Sequence, residues 1–431
     1  MDCLYMDNFR GFKDTVIPLQ QVNFLVGENS TGKTSVLSLL ELLTKPEFWF
    51  SQNFNSQTYE FGGFLDIISA GADSQEEFRI GLCQGSKAQD EKAKPRCYLM
   101  HFRERERVPI ISRFTFATDD WIGTLIRRPT GLQYRTDKLE AVCPQRTDTS
   151  CLLRAVERYT QETTSDFIKV PAEFRFGRQV IIAAFPTVLE MLVKGKSKKD
   201  LKGFTIPTIT REIVALAPIR TKPKRTYDGY PKPFSSEGEH TPYLLRKQLS
   251  SKVKAQKFNA ALEKFGKESG LFEHVGIKGF GKDPSGPFEV TVTLGETPLR
   301  INSVGYGVSQ ALPVVAELIS RRSGTWFSIQ QPEVHLHPRA QAALGDLLFA
   351  VAQNEKKTLF IETHSDYTID RFRLNYRDSK GPESQVVFFE RTEEGNHAHI
   401  IPIAQNGEYP EDQPPAFRAF FLKEQQRILG I

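Results

Sequence analysis

The chain has 431 residues, 39% of them hydrophobic and 25% charged, with a formal net charge of +5. That is the make-up of an ordinary soluble protein with material for a sizeable core and length for about two or three modules. The mild charge permits an acidic partner such as nucleic acid without demanding one. Five cysteines, an odd number with no CxxC pair, support neither a disulfide framework nor a zinc ribbon, and reduced thiols are expected. No basic-plus-apolar leader opens the chain, and no apolar run approaches the ~18 to 20 residues of a membrane span. A cytoplasmic protein with no membrane partner is expected.

In chain order, residues 4–25 read as short strands around the turn Asn8-Phe9-Arg10-Gly11-Phe12. A phosphate-loop pattern follows at Gly27-Glu28-Asn29-Ser30-Thr31-Gly32-Lys33-Thr34, between an apolar run at 22–26 and a helical run at 35–43 that starts with Ser35. It satisfies GxxxxGK[ST] in its strand–loop–helix context. Glycines let successive backbone N–H groups turn inward around an anion, and the helix adds its positive end. Lys33 can reach the β- and γ-phosphates, and the Thr34 hydroxyl can join a Mg²⁺ shell. This pattern implies a bound nucleoside triphosphate.

Further on, 61–68 and 78–82 predict short strands or turns, 84–96 a polar loop, and 113–116 and 179–184 strands. The most basic window is 194–202, and the Pro-, Lys- and Arg-rich stretch 218–233 reads as an ordered loop. Helices are predicted at 242–249 and 254–268, and an alternating strand at 288–294. Four features then occur in order. A turn, Asn302-Ser303-Val304-Gly305-Tyr306-Gly307, opens an apolar helix through Ile319. A strand at 326–329 runs into Gln330-Gln331-Pro332-Glu333-Val334-His335-Leu336-His337-Pro338, a long helix covers 339–353, and a strand at 358–362 ends in Thr363-His364-Ser365-Asp366.

This order of phosphate loop, Ser-x-Gly signature, strand ending in PExHLHP and strand ending in THS resembles the ATP-binding-cassette class of ATPases. Within that class it looks most like the soluble branch of SMC, RecF and OLD (overcoming lysogenization defect) proteins. The resemblance covers 1–45 and 300–370, with a weaker echo at Ala217-Pro218-Ile219-Arg220 and at the C-terminus. It implies an α/β fold: a P-loop ABC-type ATPase head with a mixed sheet flanked by helices, split by a large α+β insertion. The implied division is an N-terminal lobe at 1–97, an inserted partner or regulatory surface at 98–215, and a C-terminal lobe at 216–431.

The resemblance also implies two heads that sandwich ATP. Ser303 and Gly305 would then cap the γ-phosphate of the partner's nucleotide, and His364 would be the switch histidine that senses the γ-phosphate. Ser303 can equally be a helix N-cap. His335, His337 and Glu333 could suggest a metal cluster, but they also fit a structural loop after the strand. Arg10 and Phe12 stand where base or phosphate contacts are expected and can equally be turn and core residues. Gln57 is a candidate for the glutamine that links ATP to the helical region.

One departure stands out. The strand at 326–329 should end in carboxylates that hold Mg²⁺ and polarise the attacking water, yet Gln330 and Gln331 stand there. An amide can hydrogen-bond a water but cannot take its proton. Slow hydrolysis with Glu333 or Glu362 compensating, binding without hydrolysis, and a deliberate Glu-to-Gln change all fit the residues. Slow hydrolysis is the expectation, with Gln330 and Thr34 as the Mg²⁺-side ligands and Gln330, Gln331, Glu333 and His364 as the catalytic set.

No Asp-x-Asp set for a TOPRIM nuclease follows residue 377, so the chain is not expected to be the nuclease itself. The end of the chain, with an amphipathic helix at 416–429, looks like that of stand-alone OLD-like ATPases. This similarity implies a regulatory ATPase in bacterial antiphage defence. It would form a homodimer or higher homo-oligomer on ATP and control a separate effector, a nuclease being the foremost candidate. The competing expectation is a RecF- or SMC-like DNA-binding repair ATPase, with 194–202 and Arg220, Lys222, Lys224 and Arg225 on DNA phosphates. Both basic tracts can also be plain solvated loops.

Overall fold

A computed structural model describes residues 2–421 except 56–59, 72–74, 86–94, 119–120, 130, 144–148, 162–165, 171–212, 252–254 and 282–285. The expected strand at 179–184, the basic window at 194–202 and Gln57 lie outside the described residues. Two units divide the chain. Unit 1 is Met1–Gln20, Glu28–Thr210 and Phe389–Ala398; unit 2 is Gln21–Gly27, Arg211–Phe388 and His399–Ile431.

Unit 1 carries an eight-stranded antiparallel sheet. It begins with β1 (Asp2–Asp7) and β2 (Thr15–Leu19) and continues with β4 (Glu77–Gln84) and β5 (Arg96–Arg105). β6 (Val108–Thr118), β7 (Trp121–Arg128), β8 (Gly131–Lys138) and β9 (Ile168–Lys169) complete it in the order β2-β1-β4-β5-β6-β7-β8-β9. β5 runs through residues 97 and 98, so the strands after 98 extend the sheet begun by β1. The β1–β2 turn is tight: Asn8, Arg10, Gly11 and Asp14 all have positive φ. α1 (Lys33–Thr44) buries Val36, Leu37, Leu39, Leu40 and Leu43, the apolar face that its sequence predicts. The stretch read as a strand or turn at 61–68 is a short helix, α3 (Phe64–Ile67), which follows α2 (Pro46–Ser51).

Short α4 (Leu139–Val142) and the amphipathic α5 (Thr149–Gln161) complete unit 1, and α5 lays Leu152, Leu153, Val156 and Tyr159 on the sheet. Cys83 and Cys97, paired in register across β4 and β5, are joined in a disulfide. This corrects the expectation of reduced thiols throughout. Spacing along the chain carries no sign of a bridge between neighbouring strands.

Unit 2 is built on a six-stranded sheet of order β10-β14-β15-β3-β16-β17. Its members are β3 (Val22–Gly27), β10 (Ile213–Leu216), β14 (Trp326–Gln330), β15 (Thr358–Glu362), β16 (Ser384–Thr392) and β17 (Gly395–Ile403). β10, β14, β15 and β3 are parallel, so their carboxyl ends share one edge. Val22, Phe24, Phe327, Ile329, Leu359 and Ile361 read as continuous apolar runs because such strands are covered on both faces. The covering helices are α6 (Thr241–Leu249), α7 (Ala255–Ser269), α8 (Tyr306–Ser320), α9 (Pro338–Glu355) and α10 (Asp366–Leu374). A small sheet of β11 (His274–Gly279), β12 (Phe288–Leu294) and β13 (Thr297–Arg300) completes the unit. The fold is α/β, with helices flanking the sheet of unit 2. No helix among the described residues is long and apolar enough to cross a membrane.

Candidate functional site

β3 delivers Gly27 to the shared carboxyl edge, and the phosphate loop starts there. Gly27, Ser30 and Gly32 all have positive φ, the conformation that turns successive N–H groups toward one point. Gly32 also has no room for a side chain: a Cβ would stand 2.4 Å from Cζ of Phe12. The cradle is thus shaped for close approach of backbone to an anion, and the N-terminus of α1 points into it. The Thr31 hydroxyl donates to the Glu28 carbonyl at 2.8 Å, and the Lys33 ammonium donates to the same oxygen at 2.6 Å.

Within unit 1 a cleft of about 940 Å³ includes Ser30 in its lining together with Arg10, Gly11, Phe12, Ser69 and Asn396. Arg10 donates to the Phe61 carbonyl at 3.2 Å and lies over the Phe61 ring. Phe12 supports Gly32 and packs edge-on against Phe389.

In unit 2 the ends of β14 and β15 hold the second group. Gln330 faces Glu362 across the two strands, and the Gln331 N–H donates to the Glu362 carbonyl at 2.8 Å with Gln331 at φ 42°. Glu333 accepts the His364 backbone N–H on Oε1 at 2.7 Å, while its enclosed Oε2 has no partner. Burial pushes this carboxyl above the usual range. Arg220 is 2% exposed and donates from Nη2 to the carbonyls of Gln330 at 3.1 Å and Gln331 at 3.4 Å. Its Nε and Nη1 are enclosed without partners, and burial pulls its pKa down to about 10. Gln310 of α8 donates to the Arg220 carbonyl at 3.4 Å.

Two family models match the chain. "AAA ATPase domain" matches residues 1–101, and "AAA domain, putative AbiEii toxin, Type IV TA system" matches residues 216–370. Both are matches to AAA ATPase domains. The chain accordingly carries ATP-binding ATPase segments, a class that binds ATP and ordinarily Mg²⁺. No curated protein matches it. Among solved structures it is similar to an SMC head bound to the C-terminal winged-helix domain of ScpA, at 11% identity and TM-score 0.45, over 94% of this chain and 98% of that one. It is also similar to the SMC head domain from Thermotoga maritima, at 11% identity and TM-score 0.40, over 93% and 98%.

The AAA-type segments hold the expected residues as follows. Gly27, Asn29, Ser30, Thr31, Gly32, Lys33, Thr34 and Ser35 form one loop and helix start. Gln330, Gln331, Glu333 and His364 meet at one sheet edge, and His364 is exposed there. Ser303 lies exposed in a short 3-10 turn at Ile301–Ser303, and Gly305, not Ser303, takes the N-cap position of α8. The helix-cap alternative for Ser303 is therefore wrong. Gly307 lets α8 approach the next loop, because a Cβ there would stand 2.9 Å from the His335 carbonyl.

His337 caps α9, His335 lies edge-on to Tyr306 at 5.0 Å, and no three-residue metal cluster occurs among the described residues. Arg220 is corrected: it is buried against Gln330 and Gln331, so it cannot contact DNA with the exposed Lys222, Lys224 and Arg225. Sequence reasoning missed Asn396, which donates to the Arg10 carbonyl at 2.9 Å from 386 residues away. Nothing in the local pattern could have found it. The functional setting of Arg220 was signalled only by the Ala217-Pro218-Ile219-Arg220 echo.

Proposed function

We propose that this chain is an ATP-binding, ABC-type regulatory ATPase that forms a homodimer or higher homo-oligomer on ATP and controls a separate effector protein. The observation that carries the reading is the phosphate loop itself: positive φ at Gly27, Ser30 and Gly32, and a Gly32 whose Cβ would stand 2.4 Å from Phe12. Backbone N–H groups and Lys33 hold the phosphates, Thr34 and Ser35 open the helix behind them, and the 940 Å³ cleft at Ser30 has room for a base and ribose. Thr34 and Gln330 would hold Mg²⁺, which supplies charge neutralisation at the phosphates. Both are neutral donors, so that ion is held chiefly by the nucleotide.

Hydrolysis in this reading is slow. Gln330 and Gln331 orient a water without taking its proton, and Glu333 is the nearby carboxylate able to do so. Its enclosed Oε2 and the burial that raises its pKa make it a stronger base than an exposed carboxylate. Ser303 and Gly305 would meet the nucleotide of a second copy, and His364 would be the switch histidine that senses the γ-phosphate. Residues 98–215 would present the partner surface.

An antiphage module with a nuclease effector is the finer form of the proposal. Its support is the OLD-like order of motifs and the description of the 216–370 family, which names a toxin of a toxin–antitoxin system. The RecF-like alternative keeps only Lys222, Lys224 and Arg225 of its second tract. Light scattering with ATP and Mg²⁺ tests the switch: the mass rises for wild type and stays constant for Lys33→Ala and Ser303→Arg. A mass unaffected by ATP in wild type refutes it.

A further inference from the structure

All five cysteines of the chain meet in one core of unit 1. Cys3, Cys83 and Cys97 are neighbours on β1, β4 and β5, each facing the next in register. Cys143, just after α4, and Cys151, in the first turn of α5, pack on the same core with their sulfurs 3.8 Å apart. Leu152, Leu153, Ala155 and Val156 fill the rest of this core, so packing alone has no need of sulfur. Access separates the thiols. Cys3 is buried and pushed up to about 11 by burial, which makes it inert. Cys151 is half-buried at the margin, where a small solute can reach it, and Cys143 lies buried directly behind.

We propose that Cys143 and Cys151 are an oxidisable dithiol, a modification site for hydroperoxides that closes to a second disulfide in this core. Bonded sulfurs stand about 2.05 Å apart, so the pair must approach by roughly 1.8 Å, within reach of side-chain rotation. In the first step the Cys151 sulfur attacks one oxygen of hydrogen peroxide. The O–O bond breaks, water leaves with the thiol proton, and Cys151 becomes a sulfenic acid. In the second step the Cys143 sulfur attacks the Cys151 sulfur. The S–S bond forms, the S–O bond breaks, and the hydroxide leaves as water with the Cys143 proton. Two thiols give up two electrons and two protons, and one peroxide becomes two waters. The product ties the end of α4 to the start of α5, the helix that covers β4, β5 and β6.

The test uses the full chain treated with hydrogen peroxide, alkylated and digested with trypsin without reduction. Cleavage after Arg146 leaves Cys143 and Cys151 on separate peptides, so the bond appears as a linked pair by mass spectrometry. The linked pair is expected in wild type, reversed by dithiothreitol and absent from Cys143→Ser. In that variant Cys151 stops at a sulfenic acid that dimedone traps. Sulfinic acid on Cys151 without a link, both thiols unreacted, or a link from either residue to Cys3 overturns the proposal. The wild-type map decides the question even if the variant does not fold.

Discussion

Arg220→Met isolates the cost of the enclosed charge behind the two glutamines. The guanidinium is 2% exposed, and its pKa falls from 12.5 to about 10, a penalty of about 3 kcal/mol for keeping it charged. Against this stand two hydrogen bonds to the Gln330 and Gln331 carbonyls, the second long at 3.4 Å, together contributing about 2 to 3 kcal/mol. Methionine fills a similar stem volume, removes the charge and frees two unpartnered donors, so the terms nearly cancel. The urea midpoint should be equivalent to within about 1 kcal/mol of wild type. Turnover of ATP should fall, because the Gln330 and Gln331 carbonyls lose the donor that holds the end of β14 in place. Loss of more than about 3 kcal/mol, the usual result of truncating a well-paired buried ion, would refute the reasoning.

Three further outcomes are expected. Gly32→Ala combines φ 96° with a Cβ 2.4 Å from Phe12, so it should lose about 2 kcal/mol and most ATP affinity, part of both returning with Phe12→Leu; thermal melts and nucleotide titration check this. The His101 hydrogen bond, aided by Arg103 and outweighing burial, holds Glu77 down at about 2, while burial lowers His101. Both folded values are depressed, so stability present at neutrality is lost as pH falls, first below about 6.5 and then from about 4.5 toward 2. Glu77→Gln should flatten the acid limb by about 2 kcal/mol in pH-dependent unfolding. The buried Glu317 carboxylate joins His240 at 2.6 Å and Arg321 at 2.5 Å, and these partners outweigh the burial that would raise its pKa. Glu317→Gln should cost about 2 to 4 kcal/mol in chemical unfolding, and an unchanged midpoint would contradict the pairing.

Much of the nucleotide core is written in local patterns. The phosphate loop, the strands at 326–329 and 358–362 and the helices on either side of them lie where apolar runs and loop residues place them. The sheet that aligns them joins strands far apart in sequence, so the placing of β15 between β14 and β3 had no local signal. The same holds for the site. Gln330 and Gln331 stood out by type, whereas the enclosure of Arg220 and Glu333 arises from packing between separate strands and helices. The stretch at 61–68 misled because four helical residues are too few to show a period. The Cys83–Cys97 bridge depended on strand register, which spacing does not encode.

ATP turnover with Mg²⁺, measured beside Lys33→Ala and Gln330→Glu, asks whether the chain binds its nucleotide through the phosphate loop and is slowed by the glutamines at the end of β14. Slow turnover is expected in wild type, none above background in Lys33→Ala, and faster turnover in Gln330→Glu. Absence of both ATP binding and turnover in the wild-type protein would contradict this reading.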